Sequence, residues 1–106
     1  IDKYIQIIKS RRVKFLIGYT SCITKLAERV LESKDTHNFS HIRSVVITAE
    51  NIDRYDIKII ENAFNCECHI EYGMAESGVL GYSRDSTKII HFFWDDYIYQ
   101  TNTAIV

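Results

Sequence analysis

The chain has 106 residues, of which 46% are hydrophobic and 25% charged, with 13 basic and 14 acidic side chains. This size and composition are typical of one soluble globular domain and exclude extended disorder. The net charge of −1 provides no general attraction for nucleic acid. No apolar run reaches the roughly 20 residues that a membrane helix needs. We therefore predict a cytoplasmic protein with no nucleic-acid or membrane partner.

The first third of the chain predicts a helix end, a strand and a second helix. Residues 4–9 place apolar side chains on one face of a helix, and residues 13–18 form a short apolar run that ends at a glycine. Thr20 or Ser21 can then cap a helix, because short hydroxyl side chains accept hydrogen bonds from the first backbone N–H groups. The apolar stripe of this helix has strongly helical spacing and comprises Ile23, Leu26, Ala27, Val30 and Leu31.

A second strand, a third helix and a third strand follow the polar loop at residues 33–41. The β-branched run at residues 45–47 is typical of a buried strand in a sheet covered on both faces. Asp53 can cap the next helix, and Asn65 can end it, because asparagine tolerates the left-handed conformation. The stripe of this helix comprises Ile57, Ile60 and Phe64. Residues 67–71 alternate in polarity and predict the third strand.

After Gly78 the pattern changes to short alternating segments without helices between them. Residues 79–83, 89–93 and 97–100 predict antiparallel strands. The earlier alternation of strands and helices predicts two right-handed crossovers and three neighbouring parallel strands. The predicted fold is therefore α/β, a three-layer-type open sheet with parallel strands and crossover helices, followed by short antiparallel strands. We divide the chain into an α/β portion at 1–76 and an antiparallel portion at 77–106.

The three cysteines, Cys22, Cys66 and Cys68, are predicted to be reduced thiols. Their number is odd, and Cys66 and Cys68 are too close in sequence for an ordinary framework disulfide. With His69 they could form part of a zinc site, but alternation along a strand sends Cys66 and Cys68 to one face and His69 to the other. Packing roles are therefore favoured. They are favoured for Cys22 as well, although a thiol near a helix N-terminus can also be activated.

Three loops leave the carboxyl ends of the predicted parallel strands, at residues 18–21, 48–51 and 72–76. In open parallel sheets, ligands bind in the crevice outside these ends. The third loop combines an aromatic ring, a glycine that permits close approach of the backbone to a ligand, and a carboxylate that can hold a metal ion. The sequence thus predicts a nucleotide site at this edge of the sheet.

The ordered set of these loops resembles the adenylate-forming enzyme superfamily. Within it, the set resembles the branch of phenylacetate-coenzyme A ligases and related capsular-polysaccharide and F390-synthetase-like proteins. Residues 72–76 read Tyr-Gly-Met-Ala-Glu, similar to the family motif of tyrosine, glycine, any residue, threonine or serine, and glutamate. Residues 48–51, Thr-Ala-Glu-Asn, resemble the Gly-Ala-Glu-Pro loop of that branch, and residues 18–21, Gly-Tyr-Thr-Ser, resemble its Gly-Tyr-Pro-Ser segment. The resemblance covers nearly the whole chain and implies part of the large N-terminal domain of such an enzyme.

This resemblance implies roles for individual residues. Tyr72 would lie against adenine, while Ala49 and Glu50 would border the base from the other side, mainly through the backbone. Gly73 would permit close approach to the nucleotide, and Glu76 would act in catalysis by coordinating the Mg2+ ion that neutralises the phosphates. The implied ATP/AMP-binding set comprises Ala49, Glu50, Tyr72, Gly73, Met74 and Ala75.

The implied activity is that of an ATP-dependent, AMP-forming carboxylate-CoA ligase, which makes an acyl adenylate and then a thioester with coenzyme A. Its implied substrate is a hydrophobic or aromatic carboxylic acid, and Tyr19 and Phe93 could line the acid pocket. Two positions depart from the family pattern. Ala75 stands where a hydroxyl side chain hydrogen-bonds the α-phosphate, and Asn51 stands where the branch has proline.

Several segments of the family have no counterpart in the sequence, namely the upstream Ser/Thr/Gly-rich phosphate loop, the ribose-binding segment and the lysine of the closing domain. The chain also begins without methionine and has no proline. We therefore expect an internal piece of a larger ligase that is inactive by itself. The alternative is a non-catalytic α/β interaction or scaffold module derived from the same fold. The aromatic run at residues 92–94, with Tyr97 and Tyr99, predicts a surface for self-association.

Overall fold

The computed structural model describes residues 1–84 and 87–95, which form helices and strands in an α/β arrangement. The helices are α1 (Asp2–Arg11), α2 (Thr20–Glu32) and α3 (Arg54–Phe64), with a short 3-10 helix at Thr36–Phe39. The strands are β1 (Phe15–Tyr19), β2 (Ser44–Thr48), β3 (Glu67–Met74), β4 (Gly78–Ser83) and β5 (Ile90–Phe92). The predicted third antiparallel strand at 97–100, together with Tyr97 and Tyr99, lies outside the described residues.

Over the described residues, the strands form one sheet in the order β1-β2-β3-β4-β5. The first three strands pair in parallel, and β4 and β5 add in antiparallel fashion. Because the pairs β1-β2 and β2-β3 carry no register shift, the last residue of β1, Tyr19, lies beside Thr48, which in turn lies beside Glu71. The fold predicted from the sequence, with parallel strands followed by antiparallel ones, is confirmed.

Helices α2 and α3 pack against each other and cover one face of the parallel strands. Exposure alternates along β2, where Val45 and Ile47 are fully buried and the residues between and beside them are half-buried. The same alternation leaves Phe15 and Ile17 of β1 exposed on the other face. Within the described residues the core therefore lies between the sheet and the two helices. None of the helices in this part of the chain is both long and apolar enough to cross a membrane.

The start of α2 differs from the expectation. Tyr19 is the N-cap residue and makes no side-chain capping hydrogen bond, whereas Thr20 is already helical and its hydroxyl has no hydrogen-bond partner among the described residues. The cap comes instead from the carboxylate of Glu50, 29 residues away, which accepts hydrogen bonds from the Ser21 backbone N–H at 2.6 Å and the Ser21 hydroxyl at 3.0 Å. A carboxylate is favoured at this position because it meets the positive end of the helix dipole.

Helix α3 begins and ends as the sequence predicts. The Asp53 carboxylate accepts the Asp56 backbone N–H at 3.0 Å, and the Asp56 carboxylate accepts the Asp53 N–H at 3.2 Å, so the two residues form a reciprocal capping box. Asn65 ends the helix in the left-handed region with φ 50°. Ile60 and Phe64 of the predicted stripe are fully buried.

The segment predicted as a loop at 72–76 belongs largely to a β-hairpin. Strand β3 continues through Tyr72 to Met74, residues 75–77 make the turn, and Gly78 opens β4 with φ 75°. A register shift between Tyr72 and Gly73 marks a bulge in the pairing with β4. A Cβ at Gly73 would lie 2.5 Å from the carbonyl oxygen of Gly78, so the close approach of the two strands requires a glycine there.

Cys68 is buried and Cys66 is half-buried, while Cys22 is exposed. Burial raises the pKa of the Cys66 thiol to about 11 and that of the Cys68 thiol to about 12. The backbone on either side of Cys68 is held in place as well. Its N–H donates to Glu61 at 2.9 Å, and its carbonyl accepts from Lys88 at 2.5 Å.

We therefore expect a thiol reagent at pH 8 to modify Cys22 rapidly and the other two cysteines only after unfolding, because the thiolate is the reactive form. Ellman's reagent, used with and without urea, measures how many cysteine thiols react and how fast. Cys22→Ser should abolish the rapid phase. A second rapid thiol in the native protein would contradict the shielding of Cys66 and Cys68.

Candidate functional site

A cleft of about 340 Å³ opens at the carboxyl edge of the parallel strands, where the sequence placed the ligand. It is bordered by the end of β1, the loop after β2 and the β3-β4 hairpin. Of the residues assigned to nucleotide binding, the cleft brings together Ala49, Gly73, Met74 and Ala75. Tyr72, Glu50 and Glu76 lie on the same loops but do not line the cleft.

The loop after β2 is held in a strained conformation beside this cleft. Ala49 has φ 67°, a left-handed backbone conformation that costs a residue with a Cβ roughly 1–2 kcal/mol. Directly after it, Glu50 turns back to bond Ser21 at the start of α2. Both oxygens of the Glu50 carboxylate are therefore engaged, so its side chain braces the loop against α2. Ala49, directly before Glu50, is the residue of this loop that lines the cleft.

Tyr72 lies on the face of the sheet opposite to Glu71, because successive strand residues alternate. Its ring contacts that of Phe92 edge to face, with centroids 5.6 Å apart and planes at 84°. The side chain is nevertheless 47% exposed, which leaves aromatic surface available to a flat ligand. Glu76 is exposed in the hairpin turn after β3.

A row of three hydrogen-bonded polar side chains, which the sequence did not reveal, crosses the sheet at the cleft, and two of the three, Thr48 and Glu71, line it. Glu71 accepts a hydrogen bond from the Thr48 hydroxyl at 3.1 Å on one oxygen and from the Tyr82 hydroxyl at 2.9 Å on the other. This bond to Glu71, together with burial and the negative charge, raises the pKa of the Tyr82 phenol. The matching positions of Thr48 and Glu71 at the ends of neighbouring strands were the signal that could have revealed the pair.

Of the two residues that the sequence assigns to the acid pocket, only one lines the cleft. Tyr19 lines it, but Phe93 does not and instead packs against the Tyr82 ring at 6.0 Å between centroids.

Within residues 1–84 and 87–95, no group of three or more His, Cys, Asp or Glu side chains could hold a metal ion by itself. A single carboxylate such as Glu76 suits Mg2+ only when substrate phosphates supply further oxygens, which is the usual arrangement for that ion.

Comparison with known proteins supports a relationship at the level of the fold. No protein-family model matches the chain, and no curated protein matches its sequence. Among solved structures, the chain is similar to the N-terminal subdomain of Klebsiella oxytoca NpsA in complex with 3-hydroxyanthranilyl-AMSN, with a TM-score of 0.60 and 13% identity. The match covers 78% of this chain and 20% of that one. The fold thus resembles a subdomain of an adenylate-forming enzyme.

Proposed function

We propose that this chain forms the nucleotide-facing part of an adenylate-forming ligase. In this proposal the exposed surface of the Tyr72 ring lies against adenine, and the strained Ala49–Glu50 backbone borders the base from the opposite side. Gly73 permits close approach of the hairpin to the nucleotide, beside Met74 and Ala75. The proposal rests chiefly on one observation, the cleft in which the loop after β2 meets the β3-β4 hairpin at the carboxyl edge of the sheet.

The proposed reaction joins a carboxylic acid to AMP. A carboxylate oxygen of the acid attacks the α-phosphorus of ATP, and the bond between this phosphorus and the bridging oxygen breaks as pyrophosphate leaves. The protein contributes by holding the two reactants in line, because correct placement alone can remove several kcal/mol of the barrier. Ala75 gives the α-phosphate no hydroxyl donor, so the Ser77 hydroxyl or a backbone N–H group of the hairpin would have to donate in its place.

Glu76 is the residue that would hold Mg2+, together with oxygens of the nucleotide phosphates. Its exposed position in the hairpin turn fits this role, since an ion shared with a substrate must be reached from solvent. The ion, when bound, would offset the negative charge of the phosphates. The chain itself supplies one carboxylate at a fixed place in the turn after β3.

We propose further that the product adenylate is transferred to a thiol, as in the phenylacetate-coenzyme A ligase branch. The thiolate of coenzyme A would attack the acyl carbon and release AMP to form a thioester. The support for this finer assignment is the resemblance of residues 18–21, 48–51 and 72–76 to that branch. The ligand bound to NpsA, 3-hydroxyanthranilyl-AMSN, supports pairing an aromatic acid with a nucleotide-like group on this fold.

Binding of AMP provides the first test. In the full-length protein, Tyr72→Ala is expected to weaken AMP binding about 5- to 150-fold, because stacking of a base on an aromatic ring contributes about 1–3 kcal/mol. Isothermal titration calorimetry measures the change. Tyr72→Phe should retain most of the affinity, since it keeps the ring.

Phe15→Ala is the matched control, because Phe15 is an exposed aromatic residue at the opposite end of the parallel strands. Its affinity for AMP should equal that of the wild type. Equal affinity in the Tyr72→Ala protein would remove the stacking role. No AMP binding by the wild-type full-length protein would favour the non-catalytic interaction module instead.

A further inference from the structure

A second cleft, of about 420 Å³, lies between α3 and the segment that follows β4. Five residues of α3 line one wall, and Thr87 and Lys88 line the other. We call it the α3 cleft. None of the described residues that line it borders the cleft at the carboxyl edge of the sheet. The two clefts can therefore hold different ligands.

The wall formed by α3 is the side of this helix that faces away from α2. On the α2 side, the Tyr55 hydroxyl donates to Glu28 at 2.8 Å, and Asp56 accepts from the Thr24 hydroxyl at 2.9 Å. Every third or fourth residue of the stretch 54–62 lies on the opposite side and lines the α3 cleft. The packing of α3 on α2 therefore leaves this face accessible to a ligand.

The inner end of the α3 cleft carries two charges that offset each other. The Lys88 side chain, which is 15% exposed, donates to the Glu61 carboxylate at 2.7 Å and to the Cys68 carbonyl at 2.5 Å. Glu61 also accepts the Cys68 backbone N–H at 2.9 Å, so both charged side chains are held against β3. This end of the cleft therefore neither attracts nor repels an anion strongly.

The outer end carries two positive charges that are not offset. Arg54 and Lys58 line the cleft one helical turn apart, and both are exposed. Neither has a carboxylate partner among the described residues. Their positions are locally unfavourable, because like charges four residues apart repel each other and Arg54, the first residue of α3, lies at the positive end of the helix dipole. A bound anion would offset both effects.

The spacing of these two cations favours a phosphate over a carboxylate. Residues four apart on a helix have Cβ atoms about 5–6 Å from each other, so both side chains can reach oxygens of one tetrahedral group. A phosphate monoester carries a charge of about −1.5 to −2 at pH 7, which matches two cations, whereas a carboxylate carries a single charge. The rest of the α3 wall supplies the half-buried Ile57 and the exposed amide of Asn62, and the volume lies in the range of small-molecule pockets.

We propose that the α3 cleft binds a small phosphate monoester. Arg54 and Lys58 hold the phosphate, while the organic part of the ligand lies on Ile57 and forms a hydrogen bond with the Asn62 amide. The offset charges at the inner end do not repel it. The proposal does not depend on the adenylate-forming function, because the two clefts are lined by different residues.

Binding of ribose 5-phosphate to the full-length protein tests this proposal. A phosphorus NMR titration at about 150 mM NaCl, where exposed charges are screened beyond about 8 Å, should give a Kd below about 1 mM. Ribose, which lacks the phosphate, should not displace the ligand. Inorganic phosphate should bind at least about threefold more weakly, because it makes no contact with Ile57 or Asn62.

Arg54→Gln and Lys58→Gln should each weaken binding about tenfold, because each removes a hydrogen bond to a charged group. The double variant should show no binding at about 10 mM ligand. Lys58→Arg keeps the charge and should retain most of the affinity. All of these side chains are exposed, so the variants should fold, and thermal melting checks this.

Lys25→Gln is the matched control, because Lys25 is exposed on α2 and does not line the α3 cleft. Its affinity for ribose 5-phosphate should equal that of the wild type. No binding by the wild type, unchanged affinity in the double variant, or an equal loss in Lys25→Gln and Lys58→Gln would each overturn the site. Equal affinities for ribose 5-phosphate and inorganic phosphate would overturn the part assigned to the organic group.

Discussion

Glu76→Gln is expected to lower the rate of adenylate formation in the full-length protein about 100-fold or more. The substitution keeps the size of the side chain but removes the charge that would hold Mg2+ beside the phosphates, and charge stabilisation by a metal ion is worth several kcal/mol at about 1.4 kcal/mol per tenfold in rate. Glu76 is exposed in the turn, so the change should not disturb folding. Pyrophosphate exchange at saturating ATP and several Mg2+ concentrations measures the effect.

Two controls test whether the loss of exchange in Glu76→Gln comes from loss of Mg2+ binding. Binding of AMP without Mg2+ should be unchanged in Glu76→Gln, because the contact with adenine is assigned to Tyr72. Glu67→Gln removes a carboxylate from the other end of β3 and should leave exchange unchanged. Wild-type exchange in Glu76→Gln would show that another group holds the ion, and the role of Glu76 would have to be abandoned.

The parts of the fold that depend on local spacing could be predicted from the sequence. The apolar stripe of α2 appears as a buried face at Ile23, Leu26, Ala27 and Val30, because side chains three and four residues apart share one side of a helix. Asp53 and Asn65 are the boundaries of α3, because capping depends on residues within one turn. The parallel order of β1, β2 and β3 followed from the helix between each pair of strands.

The site was less predictable, because its contacts join residues far apart in the chain. Thr20 and Ser21 have the right chemistry to cap α2, yet Glu50 supplies the cap once β1 and β2 lie side by side. In the sequence, Glu71 is one of several polar residues in a strand of alternating polarity. Only the pairing of β3 with β2 and β4 brings it next to Thr48 and Tyr82. Both residues acquire their roles from strand register, which depends on tertiary contacts that no short window contains.

The segment at residues 72–76 also differs from its prediction as a loop, because most of it belongs to strand β3. Its glycine and polar ending are typical of turns, and the nearest turn signal in the sequence is Gly73. In the structure Gly73 instead pairs with Val79 of β4, so the strand continues and the turn begins after Met74. The hairpin places a rigid strand end, and not a free loop, at the cleft, which favours precise positioning of the residues around it.

Phe64→Ala is expected to lower the free energy of unfolding by about 3–5 kcal/mol, the usual cost of truncating a fully buried aromatic side chain. Phe64 is the last residue of α3, is 0% exposed, and meets Phe39 edge to face with centroids 5.8 Å apart. Truncation would leave a cavity where α3, the 3-10 helix and the sheet converge, and it would remove an aromatic pair worth about 0.5–1.5 kcal/mol beyond its buried area. Urea unfolding followed by circular dichroism measures the loss.

Phe15→Ala is again the comparison, because Phe15 has the same side chain and is 67% exposed. Its unfolding free energy should change by less than about 1 kcal/mol, since surface substitutions away from specific contacts have small effects. Phe64→Leu should fall between the two, because leucine refills part of the cavity. A loss in Phe64→Ala no larger than in Phe15→Ala would mean that the contact of α3 with Phe39 does not stabilise the fold. The positions of β2 and β3 at the cleft would then have to depend on strand pairing alone.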